Sequence, residues 1–299
     1  MRPHALERDR SAGLTNRISE RLDTVPTSGE YTRFDRNRAL RWLLIPVARG
    51  MSEYFRARVF GEDRIPCDTP VVYVGKHPRT FLYLETLLLG LHAFWDSGRP
   101  PIRVLEARET TIHRTPVLGW MRRSVNAIPA DQDHALDALD HGESILIFPG
   151  GSRELYGAPD ELLWRGRTGF ARVAIEGQAP VIPFAIIGAD QQHLGRVSLG
   201  RSSVWLPPFP LPVRLDFHFG NPISPPFPRS DRFVTKPSRC YEARWDDDVV
   251  EHHAAHVYRE TQKLLSRGMA FRRTGWRGSG ARLPAAGSST TPPHPEHGR

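Results

Sequence analysis

A histidine and a glycine-rich turn, each placed directly after an apolar run, are the residues of this chain best suited to chemistry. His77 follows the run Pro70–Gly75, and the segment Phe148–Glu154 continues the run Ser144–Phe148. A histidine at the end of a strand can act as a general base, because imidazole exchanges a proton near neutral pH. Two glycines followed by an arginine form a turn that can hold a phosphate or another anion. The pair predicts an active site built from two strand ends.

The glycine-rich turn contributes the predicted substrate-binding residues, which are Gly150, Gly151, Ser152, Arg153 and Glu154. Backbone N–H groups near the two glycines, together with Arg153, would hold a phosphate or a developing oxyanion. Ser152 is not predicted to be a nucleophile, because the pattern Gly-x-Ser-x-Gly requires a glycine where Glu154 stands.

The elements that must position these residues alternate between strands and helices, which favours an α/β fold. We expect a single layered domain with a largely parallel mixed sheet flanked by helices. The predicted strands are 55–60, 70–75, 102–105, 126–129, 144–148, 181–187 and 213–220. The predicted helices are 36–54, 84–94, 133–140, 169–176 and 246–265. Residues 205–212, which are rich in proline, are predicted to be a rigid apolar connector rather than a strand.

The first predicted helix is amphipathic, with leucines, Val47, Ala48 and Met51 on one face and arginines beside them. Such a helix can lie in a membrane interface or pack on the domain, and the pattern alone leaves both alternatives open. Pro46 is expected to kink or interrupt it.

Composition excludes several classes of protein. The net charge is +8, but residues 267–299 contain six arginines and a single glutamate, so the body of the chain is close to neutral. The basic charge is therefore not the signature of a nucleic-acid-binding core. Cys67 and Cys240 lie far apart without a metal-ligand spacing, which fits a reducing compartment. His252, His253 and His256 lack the glutamate of a His-Glu-x-x-His zinc motif, so no metal site is predicted.

Three motifs in order carry a resemblance to a known family. They are Pro116–Arg123 with Ala127–Asp131 after it, then Phe148–Glu154, and then Ala179–Phe184. Over residues 36–265 the chain resembles the glycerolipid (lysophospholipid) acyltransferase superfamily, which includes 1-acylglycerol-3-phosphate acyltransferases. The Phe-Pro-Gly-Gly form is more similar to the diacylglycerol-acyltransferase-like branch, since the common form carries a glutamate where Gly150 stands.

The resemblance implies roles for individual residues. In that family a histidine is followed, after four residues, by an aspartate that orients it, and His77 fits as the catalytic base. Leu82 occupies the aspartate position, and Glu85 is the nearest acid downstream. If a helix begins near Phe81, Glu85 lies in its first turn and can reach back, so Glu85 is predicted as the catalytic partner of His77.

The implied activity is transfer of a fatty acyl group to the hydroxyl of a glycerolipid or lysophospholipid, in lipid metabolism and phospholipid biosynthesis. The donor would be acyl-CoA or acyl-carrier protein as co-substrate, with no other cofactor and no metal. The protein is expected to be cytoplasmic and peripheral at the inner face of the cell membrane, because the chain has neither a secretory signal nor an apolar run of membrane-spanning length.

Two other functions stay open. One is a catalytically inactive relative that binds lipid or acyl chains at the membrane surface, as the leucine at position 82 allows. The other is a nucleic-acid binder driven by the basic tail, although interleaved aromatic residues and a recognisable reading module are missing. We therefore expect no nucleic-acid partner.

The domain organisation follows from these assignments. Residues 1–32 are expected to be a disordered leader, and residues 33–268 the acyltransferase domain, with an interfacial helix at 33–54. Residues 269–299, rich in Gly, Ser, Pro and Thr, are expected to be a disordered basic tail.

Overall fold

A seven-stranded sheet forms the centre of the molecule. The structure is a computed structural model that describes residues 38–78, 88–89, 99–106, 127–164, 166–199, 202–207, 209–226 and 245–273. The helices are α1 (Arg38–Tyr54), α2 (Gln132–Asp140), α3 (Gly169–Glu176) and α4 (Asp247–Arg273). The strands are β1 (Arg58–Phe60), β2 (Val72–Gly75), β3 (Ile102–Glu106), β4 (Ala127–Pro129), β5 (Ser144–Ile147), β6 (Val181–Ile187), β7 (Gly195–Leu199), β8 (Ser202–Leu206) and β9 (Asp216–Phe219).

The sheet is mixed and mostly parallel, with the order β1-β9-β6-β2-β5-β3-β4. Strands β6, β2, β5, β3 and β4 run in one direction. Strand β9 runs antiparallel to β6, and β1 is parallel to β9, so these two strands point the other way. The predicted α/β class with a largely parallel mixed sheet is confirmed.

Both faces of the sheet are buried, because successive side chains of a strand point to opposite faces. Val72 and Val74 of β2 belong to the core on the face covered by α2, α3 and α4. Tyr73, between them, belongs to the core on the other face, which also contains Phe55 and Leu88. The position of β2 at the middle of the sheet explains its near-continuous apolar sequence.

The carboxyl ends of β2 and β5 lie side by side. The two strands are parallel neighbours, with Val72 opposite Ile145 and Val74 opposite Ile147. The chain that leaves β2 is Lys76–Pro78, and the chain that leaves β5 begins at Phe148. Ligands of open α/β sheets bind at this edge, beyond the carboxyl ends of the strands. The topology therefore places both candidate segments at one site.

Helix α1 confirms the first predicted helix but continues through Pro46 without interruption. Ala48 is buried and Met51 packs on the core, whereas Val47 and Tyr54 are exposed. The predicted strand at 55–60 is wrong in its first part, because Phe55 completes a turn at the end of the helix with its N–H bonded to the Met51 carbonyl. Strand β1 covers only the last three residues of that prediction.

The predicted connector at 205–212 is also wrong at its start. Trp205 and Leu206 end β8, which pairs antiparallel with β7 to form a separate two-stranded sheet. After the hairpin, the N–H of Leu211 donates a hydrogen bond to the Gln192 carbonyl. Cross-strand hydrogen bonds with β7 thus outweigh the local tendency of the proline-rich stretch that follows.

Helix α4 continues to Arg273, past the predicted domain end at residue 268. Phe271 packs edge-on against Phe60, with ring centroids 5.3 Å apart. Arg272 donates to the buried carboxylate of Asp216 at 3.3 Å and to the Arg214 carbonyl. These tertiary contacts hold the last turns of the helix on the domain. Residues 274–299, where a disordered tail is predicted, lie outside the described residues.

None of the helices in the described parts of the chain has both the length and the hydropathy of a membrane span.

Candidate active site

A stack of side chains leads from the sheet to His77. Gly75 ends β2 against the ring of Phe184, and a Cβ at this glycine would lie 2.6 Å from that ring. Phe184 contacts Phe148 edge-on, with centroids 5.8 Å apart, and Phe148 contacts the His77 ring at 4.8 Å. The apolar residue that precedes the glycine turn therefore supports the candidate base.

The imidazole of His77 is oriented by a backbone carbonyl. Its Nδ1 lies 2.8 Å from the Pro78 carbonyl oxygen. Because a carbonyl can only accept, this bond requires the proton on Nδ1 and leaves the lone pair on Nε2. Burial lowers the pKa of His77, the Pro78 bond opposes this, and the Lys76 ammonium lowers it further. His77 is thus a neutral imidazole at physiological pH, as a general base must be.

The glycine turn presents two polar side chains to solvent. Gly151 has φ of +55°, a conformation that favours glycine, and begins a 3-10 helix at Gly151–Leu155. Its N–H donates to the Phe148 carbonyl at 3.0 Å and so closes the turn. Ser152 and Arg153 are exposed beside it. These two side chains are the parts of the predicted cradle that a solvent-borne anion can reach.

Glu154 lies beneath the turn rather than on its surface. It is fully buried, and both of its oxygens accept hydrogen bonds from backbone N–H groups. Oε2 accepts from His77 at 2.7 Å, and Oε1 accepts from Leu163 at 3.0 Å. Burial raises the pKa of Glu154, while these two bonds, Lys76 and Trp164 act in the opposite direction. The substrate-binding role predicted for Glu154 stays a prediction, and the contacts described here are with the protein itself.

Lys76 is a buried cation at the same site. It is only 8% exposed, and its Nζ donates to the Glu161 carbonyl at 2.5 Å. Its charge lies close enough to affect both His77 and Glu154. A lysine that precedes a candidate base gave no clear signal in the sequence, because most lysines are exposed. The carbonyls of Pro78 and Glu161 gave none at all, since every residue has one.

The structure brings His77 together with the turn at 150–154, as the sequence predicts. Glu85, the predicted partner of His77, lies outside the described residues, as do Leu82 and the motif at 116–123. Among the residues that are described, no group of three or more His, Cys, Asp or Glu side chains could hold a metal ion.

The chain is similar to known proteins in sequence and in fold. Residues 56–187 match the family model described as Acyltransferase. An uncharacterized protein of Mycobacterium tuberculosis is 29% identical over 233 residues, which cover 74% of this chain and 63% of that protein. The human protein named DGAT1/2-independent enzyme synthesizing storage lipids is 29% identical over 182 residues, covering 55% of this chain and 53% of that protein.

The chain spans about half to two thirds of the length of these relatives. Among solved structures, the 1-acyl-sn-glycerophosphate acyltransferase of Thermotoga maritima is 18% identical with a TM-score of 0.46, covering 84% of this chain and 89% of that one. The family model includes His77, the glycine turn and β6, which are the residues that build the site. Residues 56–187 of this chain therefore form a domain that is similar to those of the Acyltransferase family.

Proposed function

We propose that this protein is an O-acyltransferase that moves a fatty acyl group from a thioester donor to a lipid hydroxyl, with His77 as the general base. The donor would be acyl-CoA or acyl-carrier protein, and the acceptor a glycerolipid or lysophospholipid. One observation carries the proposal: His77, with its lone pair on Nε2, stands beside the glycine turn at the carboxyl edge of the sheet.

The proposed reaction is a direct transfer. Nε2 of His77 takes the proton of the acceptor hydroxyl as its oxygen attacks the thioester carbonyl carbon. The carbonyl electron pair moves onto oxygen, and the C–S bond breaks when the tetrahedral intermediate collapses. The departing thiolate then takes the proton from the imidazolium. Because a thiolate is a good leaving group, no covalent enzyme intermediate is needed.

The exposed side chains of the turn would bind the anionic groups of the substrates. Arg153 supplies a cation and Ser152 a hydroxyl donor, and both are exposed on the turn that follows β5. A phosphate of the donor or acceptor is the group that such a pair would hold. In this proposal Gly150 and Gly151 shape the turn that carries these side chains.

Exposed apolar residues at the same edge of the sheet support contact with a membrane surface. Strand β6 is parallel to β2, so its carboxyl end lies at the same edge of the sheet as His77. The chain continues from that end into the hairpin β7–β8. Leu194 is 84% exposed and Phe209 is 65% exposed, and Val197 and Leu206 are partly exposed as well. A lipid-facing surface beside the site would let acceptor lipids enter without crossing water.

Binding to vesicles of phosphatidylglycerol and phosphatidylethanolamine tests this membrane contact. The double variant Leu194→Ser/Phe209→Ser should partition at least about tenfold less, because burying one large apolar side chain is worth about 1.5–3 kcal/mol. Val47→Ser measures the separate contribution of α1, the predicted interfacial helix. Unchanged partitioning of the double variant would remove the hairpin from the membrane contact.

Thioester turnover by the purified protein tests the proposed activity. The donors are acyl-CoA and acyl-carrier protein, and the acceptors are lysophospholipid, monoacylglycerol and diacylglycerol. We expect release of free thiol together with one acylated lipid. The second candidate is an inactive relative that binds lipid, which the leucine at position 82 allows. Normal binding of donor or vesicles without acylation of any acceptor would support this second candidate.

A further inference from the structure

A single carboxylate joins three segments of the site. Glu154, on the 3-10 helix after the glycine turn, accepts from the N–H of His77 and from the N–H of Leu163. A carboxylate is costly to bury unless its oxygens are satisfied, and here each oxygen has a backbone donor. The donors belong to the loop after β2 and to the segment before α3. Glu154 therefore holds the backbone of the candidate base in place from below.

The glycine at position 150 is required by this carboxylate and not by the backbone. Gly150 has φ of −69° and ψ of −24°, which any residue can adopt. A Cβ at this position would nevertheless lie 2.1 Å from Cδ of Glu154 and 2.5 Å from its Oε1. No side chain fits at 150 while the carboxylate of residue 154 occupies that space.

Lys76 adds a charge to the arrangement. Its buried ammonium is held by the Glu161 carbonyl and favours the ionised form of Glu154. Two N–H donors also suit an ionised carboxylate, which only accepts hydrogen bonds. The base, the buried cation and the buried carboxylate thus lie within one short stretch at the end of β2 and the turn after β5.

We propose that Glu154 is the positioning residue of the His77 base, and that the glycine at position 150 makes room for its carboxylate. This inference rests on the proposed acyl transfer and specifies how the base is held. Glu154 acts through the His77 amide and the loop geometry, and does not exchange a proton with substrate. A carboxylate that starts from position 150 can reach the same space, because a Cβ there would lie only 2.1 Å from Cδ of Glu154.

Exchange of the carboxylate between the two positions tests the proposal. Glu154→Ala should lower kcat by about 100-fold with little change in the KM for the thioester, because a small displacement of a catalytic group has an effect of that size. Gly150→Glu alone should also lose activity, since two side chains compete for one space. The double variant Gly150→Glu/Glu154→Ala should recover to within about tenfold of the wild type. Glu251→Gln, an exposed residue of α4, is the matched control and should leave kcat unchanged.

A spectroscopic readout separates this inference from the proposed activity. In isotope-labelled protein, Glu154→Gln and Glu154→Ala should shift the His77 backbone amide resonance. The reason is that the His77 N–H loses the carboxylate oxygen that accepts its hydrogen bond. This holds whether or not any acceptor is acylated. Unchanged His77 resonances in both variants would overturn the proposal. A folded double variant that is no more active than Glu154→Ala would overturn it as well.

Discussion

His77 owes its protonation state to groups of the main chain and to burial. The Pro78 carbonyl holds the proton on Nδ1, and burial keeps the imidazole neutral. An aspartate is a common way to orient a catalytic histidine, and this chain has Leu82 at the position where the superfamily that it resembles carries one. A carbonyl can fix the tautomer equally well, although it does not add a negative charge beside the imidazolium.

The lowered pKa of His77 predicts the acid limb of the pH profile. Because the neutral imidazole is the active form, kcat/KM should reach half of its full value at a pH below 6.5, the ordinary pKa of a histidine. Initial rates at low thioester concentration between pH 4 and 8 measure this limb. A half-maximal rate at or above pH 6.5 would contradict the lowered pKa.

Two glycines allow a matched comparison of sterics at the site. Gly150→Ala should lose about 1–3 kcal/mol of unfolding free energy through overpacking, because its Cβ would meet the buried Glu154. It should also lower kcat, since the carboxylate must move. Urea denaturation and initial rates measure the two effects.

Gly142→Ala is the control for this comparison. Gly142 has φ of +77°, and within the described part of the chain an added Cβ meets nothing within 4 Å. It should lose about 1–2 kcal/mol through backbone strain and keep its kcat. Equal kcat values for the two variants would show that the space at position 150 does not matter for the base.

At the scale of elements, the periodicity of apolar residues predicted the helices and strands that bury one regular apolar face. The helix at Gly169–Glu176 and the strand at Val181–Ile187 agree with prediction, since each buries a regular apolar pattern. The adjacency of His77 and the glycine turn was also predictable, because parallel strands end at one edge. The hydrogen bond that the His77 N–H donates to Glu154 was not predictable, since a backbone donor far away in sequence carries no residue-type signal. The four-residue separation between Gly150 and Glu154 is the sequence feature that could have indicated their contact.

The end of α4 shows how tertiary contacts extend an element beyond its apolar pattern. The predicted helix stops at Leu265, but Phe271 and Arg272 contact β1 and β9. The buried carboxylate of Asp216 is paired with Arg58, Arg214 and Arg272. Removing one of these cations leaves the carboxylate less well compensated.

Truncation measures the contribution of this helix end. A chain that stops at Arg273 should unfold with the same free energy as the full chain. A chain that stops at Gly268 loses Phe271 and Arg272. It should be destabilised by about 1–3 kcal/mol, because Asp216 loses one of its three arginine partners and the ring contact with Phe60 is lost. Thermal or urea unfolding compares the two, with Arg272→Gln as the point variant. Equal stability of both truncations would place the domain end at residue 268.

For the molecule as a whole, a buried histidine predicts acid sensitivity. His218 of β9 is fully buried and stacks on Phe60, with ring centroids 4.7 Å apart. Neither ring nitrogen has a hydrogen-bond partner among the described residues. Burial lowers the pKa of His218 to about 4. Between about pH 4 and 6.5 the unfolded chain therefore binds a proton that the folded chain does not, and stability falls as the pH falls.

Replacement of His218 tests this dependence. Across that pH range His218 should account for about 3 kcal/mol of lost stability, and His218→Leu should remove that part of the slope. His253, whose pKa burial also lowers to about 4, should leave a remaining slope of the same sign. A slope unchanged in His218→Leu would contradict the account.

The whole account depends most on His77 as the base of acyl transfer. The most direct measurement follows thiol release and acylated lipid in the same reaction, for the wild type and for His77→Ala. The account predicts equal amounts of thiol and acylated lipid for the wild type. It predicts a rate roughly 100- to 10,000-fold lower for the folded variant, because a general base contributes about that factor. A variant that acylates lipid at the wild-type rate would contradict it.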